Sequence, residues 1–167
     1  MNKLLSIAQK AKHSKFYLWL LNLVLWRVIP FNHSHNIWIE ALTDTGVTVK
    51  LPYIRSNQNH LKGMHACALA TLCEYACGIS LITRLNPKDI RLILKDLKMD
   101  YHSQGKGAVF VTFNLDERTF TNEVLNPLTQ DGAVLKTFVT EVFDLNQKLI
   151  CTGQVTWQLK RWDKVRN

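Results

Sequence analysis

A single carboxylate stands in the most apolar stretch of the chain. Between Met64 and Thr83, Glu74 is the only residue charged at neutral pH, and its neighbours are apolar on nearly every side of a predicted helix without a solvent face. Removing a lone carboxylate from water is costly unless the group is paired or protonated. Two interpretations follow. Either the group does chemistry as a general base or a nucleophile, or it is a core residue satisfied by a hydroxyl or a backbone group.

The cysteines and histidines offer other chemistry, but their spacing does not favour it. No Cys-x-x-Cys pair occurs, so zinc and redox sites lack their usual pattern. We therefore interpret the four cysteines as small apolar core residues of a protein in a reducing cytoplasm. They are Cys67, Cys73, Cys77 and Cys151. His33 and His35 have no third ligand near them in the sequence, so we expect a solvated loop there and no metal site.

Length, composition and charge restrict the classes of protein to consider. The chain has 167 residues, of which 47% are hydrophobic and 20% charged, which is typical of one globular domain. The net charge of +8 favours an acidic partner such as nucleic acid, anionic lipid or a phosphorylated small molecule. No run of five basic residues and no nucleic-acid motif occurs, so we do not expect nucleic acid. We predict a lead-in over residues 1–14 and one domain over residues 15–167, in the cytoplasm.

The N-terminal region resembles a membrane anchor but is too short for one. Lysines precede an aromatic run over residues 15–31, and Asn22 and Arg27 interrupt it before it reaches the ~20 apolar residues that a span requires. No cleavage site for a signal peptide follows. We expect an amphipathic helix that packs on the domain and ends at Pro30. Peripheral contact with a membrane surface is the alternative, because Trp19 and Trp26 suit an interface.

The remaining segments predict an α+β fold. Two hairpins are expected, one around Asp44-Thr45-Gly46 and one around residues 144–147. Two further strands flank a turn over residues 103–107, and residues 115–127 form either a short helix or an irregular insert. The predicted strands are 37–42, 47–51, 91–101, 108–113, 133–143 and 149–159. With one apolar helix inserted after the second strand, the pattern indicates an antiparallel sheet wrapped around that helix.

Several motifs resemble those of hotdog-fold thioesterases. Enzymes of the phenylacetyl-CoA type have an Asn, a His-Gly-Gly six residues later and an acidic residue nine beyond that His. Asn59, His65 and Glu74 have the same spacing here. The chain is similar, more closely, to a bacterial family of unassigned function in the same superfamily, over residues 15–160. The shared elements are Pro30-Phe31-Asn32, Leu51-Pro52-Tyr53, Asn57-Gln58-Asn59-His60, the stretch from Met64 to Tyr75, and Tyr101 to Gly107.

The resemblance implies hydrolysis of acyl thioesters, with coenzyme A as part of the substrate and no separate cofactor. Glu74 would be the base or nucleophile, Asn59 would hold water or the carbonyl, and the helix start at His65 and Ala66 would stabilise the oxyanion. Nine residues of helix span about 13–14 Å, so Glu74 and the helix start of one chain cannot meet at one carbonyl. We therefore expect a homodimer, or a tetramer built from it, with sites shared between subunits, as the superfamily also implies.

The substrate site carries departures from the motif that leave alternatives open. Ala66 and Cys67 replace both glycines of His-Gly-Gly, and their side chains narrow the approach to the backbone. Cys67, Leu72 and Tyr75 are expected to line an acyl channel, although ordinary core packing accounts for them equally well. A non-catalytic module that binds acyl-CoA or lipid is the first alternative. A hydratase or dehydratase using His60 or His102 is the second.

Overall fold

The structure is a computed structural model that describes residues 2–165, and its strands form one antiparallel sheet. The strands are β1 (Trp38–Leu42), β2 (Gly46–Leu51), β3 (Ile90–Tyr101), β4 (Val109–Asn114), β5 (Ala133–Asp144) and β6 (Leu149–Arg161). The helices are α1 (Asn2–Ala11), α2 (Lys15–Val28), α3 (Pro30–Ser34), α4 (Ala66–Ile82), α5 (Glu117–Phe120) and α6 (Asn126–Gln130), with a π-helical turn over Thr121–Leu125. Across the sheet the order is β1-β2-β4-β5-β6-β3.

Alternation of apolar and polar residues decides which face of the sheet forms the core. In β6 the side chains of Val155, Trp157 and Leu159 are buried, whereas those of Gln158 and Lys160 on the other face are half-buried. The buried rows of β2, β3, β4, β5 and β6 pack on α4. The predicted α+β fold, with a sheet wrapped around a central helix, is confirmed.

The strands that flank residues 103–107 are not neighbours in the sheet. β3 pairs with β6, while β4 lies between β2 and β5. The connection crosses the beginning of α4, where the Met64 N–H donates to the Gly105 carbonyl at 2.8 Å. On the other side, the His102 N–H donates to the Ile150 carbonyl at 2.9 Å. The chain therefore passes from the edge of the sheet to its middle and does not form a hairpin.

The connection between β4 and β5 is helical. These strands pair only from Val109–Asp144 to Val111–Val142, and beyond that point they separate. Residues 117–130 form successive helical turns whose apolar side chains enter the core beside the gap: Phe120, Val124 and Leu128. Of the two alternatives expected for residues 115–127, the structure therefore shows the helical one.

A buried amide fastens α2 to the sheet. The Asn22 side chain is fully buried, and its Nδ2 donates to the Ile39 carbonyl at 3.0 Å while its Oδ1 accepts the Ile39 N–H at 2.7 Å. β1 is an edge strand, where half of the backbone groups have no neighbouring strand. Asn22 supplies both missing partners of Ile39, so the polar residue that interrupts the apolar run is an attachment point.

Pro30 ends α2 as predicted, but the segment after it is not a loop. α2 stops at Val28, and Pro30 occupies the first turn of α3. Proline is tolerated there because an N–H in the first turn has no acceptor within the helix, so its absence costs nothing. His33 stacks on Trp26 with ring centroids 4.7 Å apart. The expected solvated loop over residues 33–36 is therefore wrong for its first half, which is helical.

β3 forms the other edge of the sheet, and its core face is incompletely covered. Leu92, Leu94, Leu97 and Met99 pair with buried positions of β6 and therefore point to the core side. They are nevertheless half-buried or exposed, because α4 covers this row only in part. A 12-residue strand with an open backbone edge and an open apolar row is typical of a surface that pairs with another chain.

Candidate active site

Glu74 lies on the side of α4 that the sheet covers least. Ala70, Thr71, Glu74 and Gly78 are half-buried, and their spacing of three or four residues places them along one side of the helix, which we call the open side of α4. The prediction of a helix without a solvent face is wrong. Alanine, threonine and glycine read as apolar in the sequence, but they are too small to reach neighbouring elements.

The Glu74 carboxyl has no charged partner. None of the ion pairs found among residues 2–165 includes it. Burial raises the pKa of Glu74 from 4.5 to about 7, because the charged form loses its hydration. Burial, and after it the Glu74 charge, also raises the pKa of the neighbouring Tyr75 phenol. Near neutral pH the carboxyl is therefore present in both forms, as a general base requires.

A glycine and a tryptophan adjoin this carboxyl. A methyl group added to Gly78 would lie 3.1 Å from the Trp157 ring and 3.8 Å from Glu74 Oε1. The Trp157 Nε1 is buried and has no hydrogen-bond acceptor among the described residues. An unpaired buried donor costs about 1–3 kcal/mol, so the Trp157 N–H destabilises the fold unless a partner outside the described residues accepts it.

The beginning of α4 presents backbone donors. His65 caps the helix, and its Nδ1 accepts the Cys67 N–H at 3.1 Å. The amides of Ala66 and Ala68 have no acceptor within the helix, since the first turn lacks a preceding turn. The Tyr101 hydroxyl donates to the Ala66 carbonyl at 3.0 Å and so ties β3 to the helix start. This end of α4 also carries the positive end of the helix dipole.

Asn59 supports the turn that leads into α4. Its Oδ1 accepts the N–H groups of Leu61 at 2.9 Å and of Gly63 at 3.0 Å, and its Nδ2 lies 3.5 Å from the Met64 carbonyl. The oxygen of the amide is thus occupied by the turn. Only the Nδ2 group has a hydrogen left to offer a substrate.

Two of the predicted site residues border the same cavity. A cavity of about 430 Å³ lies beside the beginning of α4, with Asn59 and Ala66 in its wall. Tyr101 and His102 close the other side, and the His102 ring Nε2 is 2.9 Å from the Thr152 hydroxyl. The cavity therefore brings Asn59 together with the helix start.

Glu74 is not part of that group within one chain. It follows Ala66 by eight residues in a regular helix, which corresponds to about 12 Å along the axis. Cys67 is exposed, so its prediction as a core residue is wrong, whereas the other three cysteines are buried. Together with His65, Cys67 borders a second, smaller cavity of about 240 Å³. The predicted residues thus fall into two groups on α4, one at its beginning and one at its middle.

The two predicted channel residues lie in the core. Leu72 is fully buried, and Tyr75 is almost so. Both belong to the cluster of side chains between α4 and the sheet. Their positions agree with core packing, which was the alternative to a lining role.

Trp157 and Tyr101 lie next to the site but were not among the predicted site residues. Trp157 is one apolar position in the alternation of β6, and nothing in its pattern indicates an unpaired N–H. Tyr101 opens the Tyr101-to-Gly107 element, which was a signal, but only the fold brings its hydroxyl to Ala66. Both contacts join positions far apart in the chain.

The histidines and cysteines do not form a metal centre in the part of the chain that the structure describes. Residues 2–165 contain no group of three or more His, Cys, Asp or Glu side chains placed to hold an ion. His35 instead contacts the Asn57 side chain at 2.8 Å. Among the same residues, every helix is too short or too polar to cross a lipid bilayer.

Comparison with known proteins identifies a family and a fold. A family model described as a domain of unknown function, DUF4442, matches residues 18–159. A search of curated protein sequences gives no significant match.

Three solved structures illustrate the likeness in fold. A Pseudomonas aeruginosa protein of unknown function, called a probable thioesterase, is 21% identical with a TM-score of 0.75 over 81% of this chain and 90% of that chain. A mutant thioesterase from the same organism is 12% identical, with a TM-score of 0.66 over 90% and 99%. A Staphylococcus aureus thioesterase mutant is 14% identical, with a TM-score of 0.63 over 78% and 98%. The predicted hotdog fold is confirmed.

Proposed function

The chain belongs to the DUF4442 family, and we propose that it hydrolyses acyl thioesters such as acyl-CoA, with Glu74 as the general base. The observation that carries this proposal is an unpaired, half-buried carboxyl on the open side of α4, with a pKa raised to about 7. A buried carboxylate without a partner destabilises a fold, so its presence needs a compensating role. The thioesterases among the proteins of similar fold supply the reaction class.

We propose that the site is completed by a second copy of the chain. The open side of α4 and the open row of β3 are both incompletely covered in one chain. Edge-to-edge pairing of two β3 strands would cover that row and satisfy the free backbone groups. A two-fold arrangement would also bring Glu74 of one subunit towards the beginning of α4 in the other.

The reaction needs one base and one oxyanion site. The Glu74 carboxylate takes a proton from water, and the water oxygen attacks the thioester carbonyl carbon. The Ala66 N–H and the free Nδ2 hydrogen of Asn59, both from the other subunit, would hold the oxyanion. When the C–S bond breaks, the proton held by Glu74 passes to the leaving sulfur. The products are a carboxylic acid and a free thiol, and Glu74 returns to its ionised form.

A module that binds acyl-CoA without cleaving it is the second candidate. The observation that favours it is the use of the Asn59 oxygen by the turn, which leaves this side chain fewer groups for catalysis. The exposed side chains of Ala66 and Cys67 also favour the binding module, because related thioesterases have glycines at these two positions.

The deciding experiment compares Glu74→Gln with the parent protein on a panel of acyl-CoAs, following release of free thiol. We expect kcat to fall by at least about 100-fold, the usual loss when a general base is removed. Glu141→Gln is the matched control, because Glu141 is exposed on β5 and its loss removes the same charge. Unchanged hydrolysis by Glu74→Gln would overturn the assignment. Binding without turnover by the parent would favour the second candidate, and hydration of an enoyl-CoA without thiol release would indicate a hydratase.

A further inference from the structure

The N-terminal helices expose a stripe of large apolar side chains. Phe16, Trp19 and Leu23 follow one another at helical spacing along α2, and Phe16 is 63% exposed. The opposite side of the same helix is buried through Leu21 and Leu25. We call Phe16, Trp19 and Leu23 the aromatic stripe. Packing on the domain therefore uses one side of α2 and leaves a second apolar side uncovered.

Two further large apolar side chains are exposed where α2 ends and α3 begins. Val28 is exposed, and Phe31 of α3 is 60% exposed. Phe31 also lines the cavity of about 240 Å³ that reaches His65 and Cys67 at the beginning of α4. An exposed apolar side chain therefore also borders the opening beside the helix start.

The charged side chains of α1 and α2 are all basic. The first 39 residues contain five Lys or Arg and no Asp or Glu. Lys12 is paired with Asp44 at 2.8 Å, whereas the other four basic side chains are exposed: Lys3, Lys10, Lys15 and Arg27. Arg27 lies four residues after Leu23, in line with the stripe. Like charges on two copies of this surface disfavour its self-association.

We propose that the aromatic stripe docks the protein on the surface of an anionic lipid bilayer. Trp and Phe side chains enter the boundary between headgroups and acyl chains, while flanking lysines attract anionic headgroups. α2 has 14 residues and is about 21 Å long, shorter than the ~30 Å hydrocarbon core, so it lies in the plane of the surface. This inference does not depend on the proposed hydrolysis.

Vesicle flotation tests the proposal with the full chain. Phosphatidylcholine vesicles with about 30 mol% phosphatidylglycerol should bind the parent protein at low salt, while pure phosphatidylcholine vesicles should bind it far less. Binding should weaken at about 0.5 M salt, where the screening length is a few ångströms. Phe16→Ser combined with Trp19→Ser should lower the affinity at least ten-fold. The matched control is Leu135→Ser with Val139→Ser, which removes two equally exposed apolar side chains from β5.

A charge series separates docking from general electrostatic attraction. Replacing Lys3, Lys10 and Lys15 by Gln should weaken binding by about five-fold per lysine, the value for a basic residue close to an anionic surface. Replacing Lys88, Lys148 and Lys164 removes the same net charge from other exposed positions and should change the affinity much less. Equal losses in the two triple variants would overturn the proposal.

Fluorescence and light scattering complete the test. The parent protein should show a blue shift of Trp emission on adding anionic vesicles, and Trp19→Phe should lack it. Parent-like vesicle binding by the Phe16 and Trp19 double variant would overturn the proposal. A smaller molecular mass of that variant in light scattering would also overturn it, because the stripe would then bind a second copy. None of these experiments contains acyl-CoA, so a failure of the proposed hydrolysis would not affect their outcomes.

Discussion

The Tyr101 hydroxyl donates to the Ala66 carbonyl at 3.0 Å, which joins the last residue of β3 to the first residue of α4. This bond links the end of the edge strand to the helix start. Under the proposed pairing of two β3 strands, any shift of the pairing register would shift the oxyanion site with it. The bond occupies the carbonyl of Ala66 and leaves its N–H available for a substrate.

Replacing Ala66 by proline tests that N–H directly. Proline is favoured in the first turn of a helix, and His65 has the extended backbone that a following proline requires, with φ −70° and ψ 135°. The substitution therefore removes one donor with little cost in stability. We expect kcat for acyl-CoA hydrolysis to fall by about 100-fold, as for loss of an oxyanion donor, with KM much less affected.

The control for this variant is Ala66→Ser, which changes the same side chain and leaves every backbone donor in place. Thermal unfolding should show that Ala66→Pro melts close to the parent. A folded Ala66→Pro protein with full activity would contradict the role of this amide.

Mixed dimers test whether a site is shared between subunits. Glu74→Gln and Ala66→Pro should each be inactive, but a dimer containing one of each would hold one site with both defects and one intact site. Refolding an equal mixture should therefore restore about a quarter of the parent activity, since about half of the dimers are mixed. Thiol release from the refolded mixture measures this recovery.

If both groups acted within one chain, every site in the mixture would carry a defect and no activity would return. Each variant refolded alone serves as the control. Light scattering on the parent gives the number of chains that the calculation requires.

As pH rises, the activity of the protein should increase while its stability decreases. Activity requires the ionised Glu74 and should rise with a midpoint near pH 7. The folded-state pKa is raised from 4.5 to about 7, so between these values the folded state holds a proton that the unfolded state has lost. The free energy of unfolding should therefore decrease as pH rises from about 4.5 to 7, by up to about 3 kcal/mol.

Urea unfolding at fixed protein concentration measures this effect, since any assembly makes stability depend on concentration. Glu74→Gln cannot ionise and should show a smaller decrease over the same range. Equal pH dependence in the parent and the variant would contradict the raised pKa.

Because Asn22 attaches α2 to the sheet, replacing it by alanine should lower the stability of the protein substantially. Asn22→Ala leaves both the N–H and the carbonyl of Ile39 without partners in a buried position. We expect the free energy of unfolding to fall by about 2–4 kcal/mol, because two unsatisfied groups are created at once. Urea denaturation gives the value, and Asn122→Ala, at an exposed position, should change it by less than about 0.5 kcal/mol. A similar small change for both variants would show that Asn22 is not an anchor.

The sequence predicts most of the fold because its patterns are local. Val155, Trp157 and Leu159 alternate with polar residues, and the strand they predict is present. Pro30 ends α2 as expected, yet the short helix after it has no signal beyond Pro30 itself. The pairing of β3 with β6 is not predictable from the turn between β3 and β4, since it depends on the hairpin that comes later in the chain.

Only part of the candidate site can be predicted from the sequence. The isolation of Glu74 and its raised pKa follow from the apolar residues around it. The open side of α4 does not, because residue type does not reveal that Ala70 and Thr71 lack a covering strand. The use of the Asn59 amide by its own turn and the bond from Tyr101 depend on distances that only the folded chain fixes.

The Trp157 ring leaves little room for a side chain at position 78 on α4. Any replacement of Gly78 adds at least one carbon atom, which would meet the Trp157 ring at 3.1 Å and stand beside Glu74. A side chain at position 78 therefore requires the Trp157 ring to move by a few tenths of an ångström. In a set of diverged relatives, variation at this position should accompany a smaller residue at position 157, so the two positions should change as a pair.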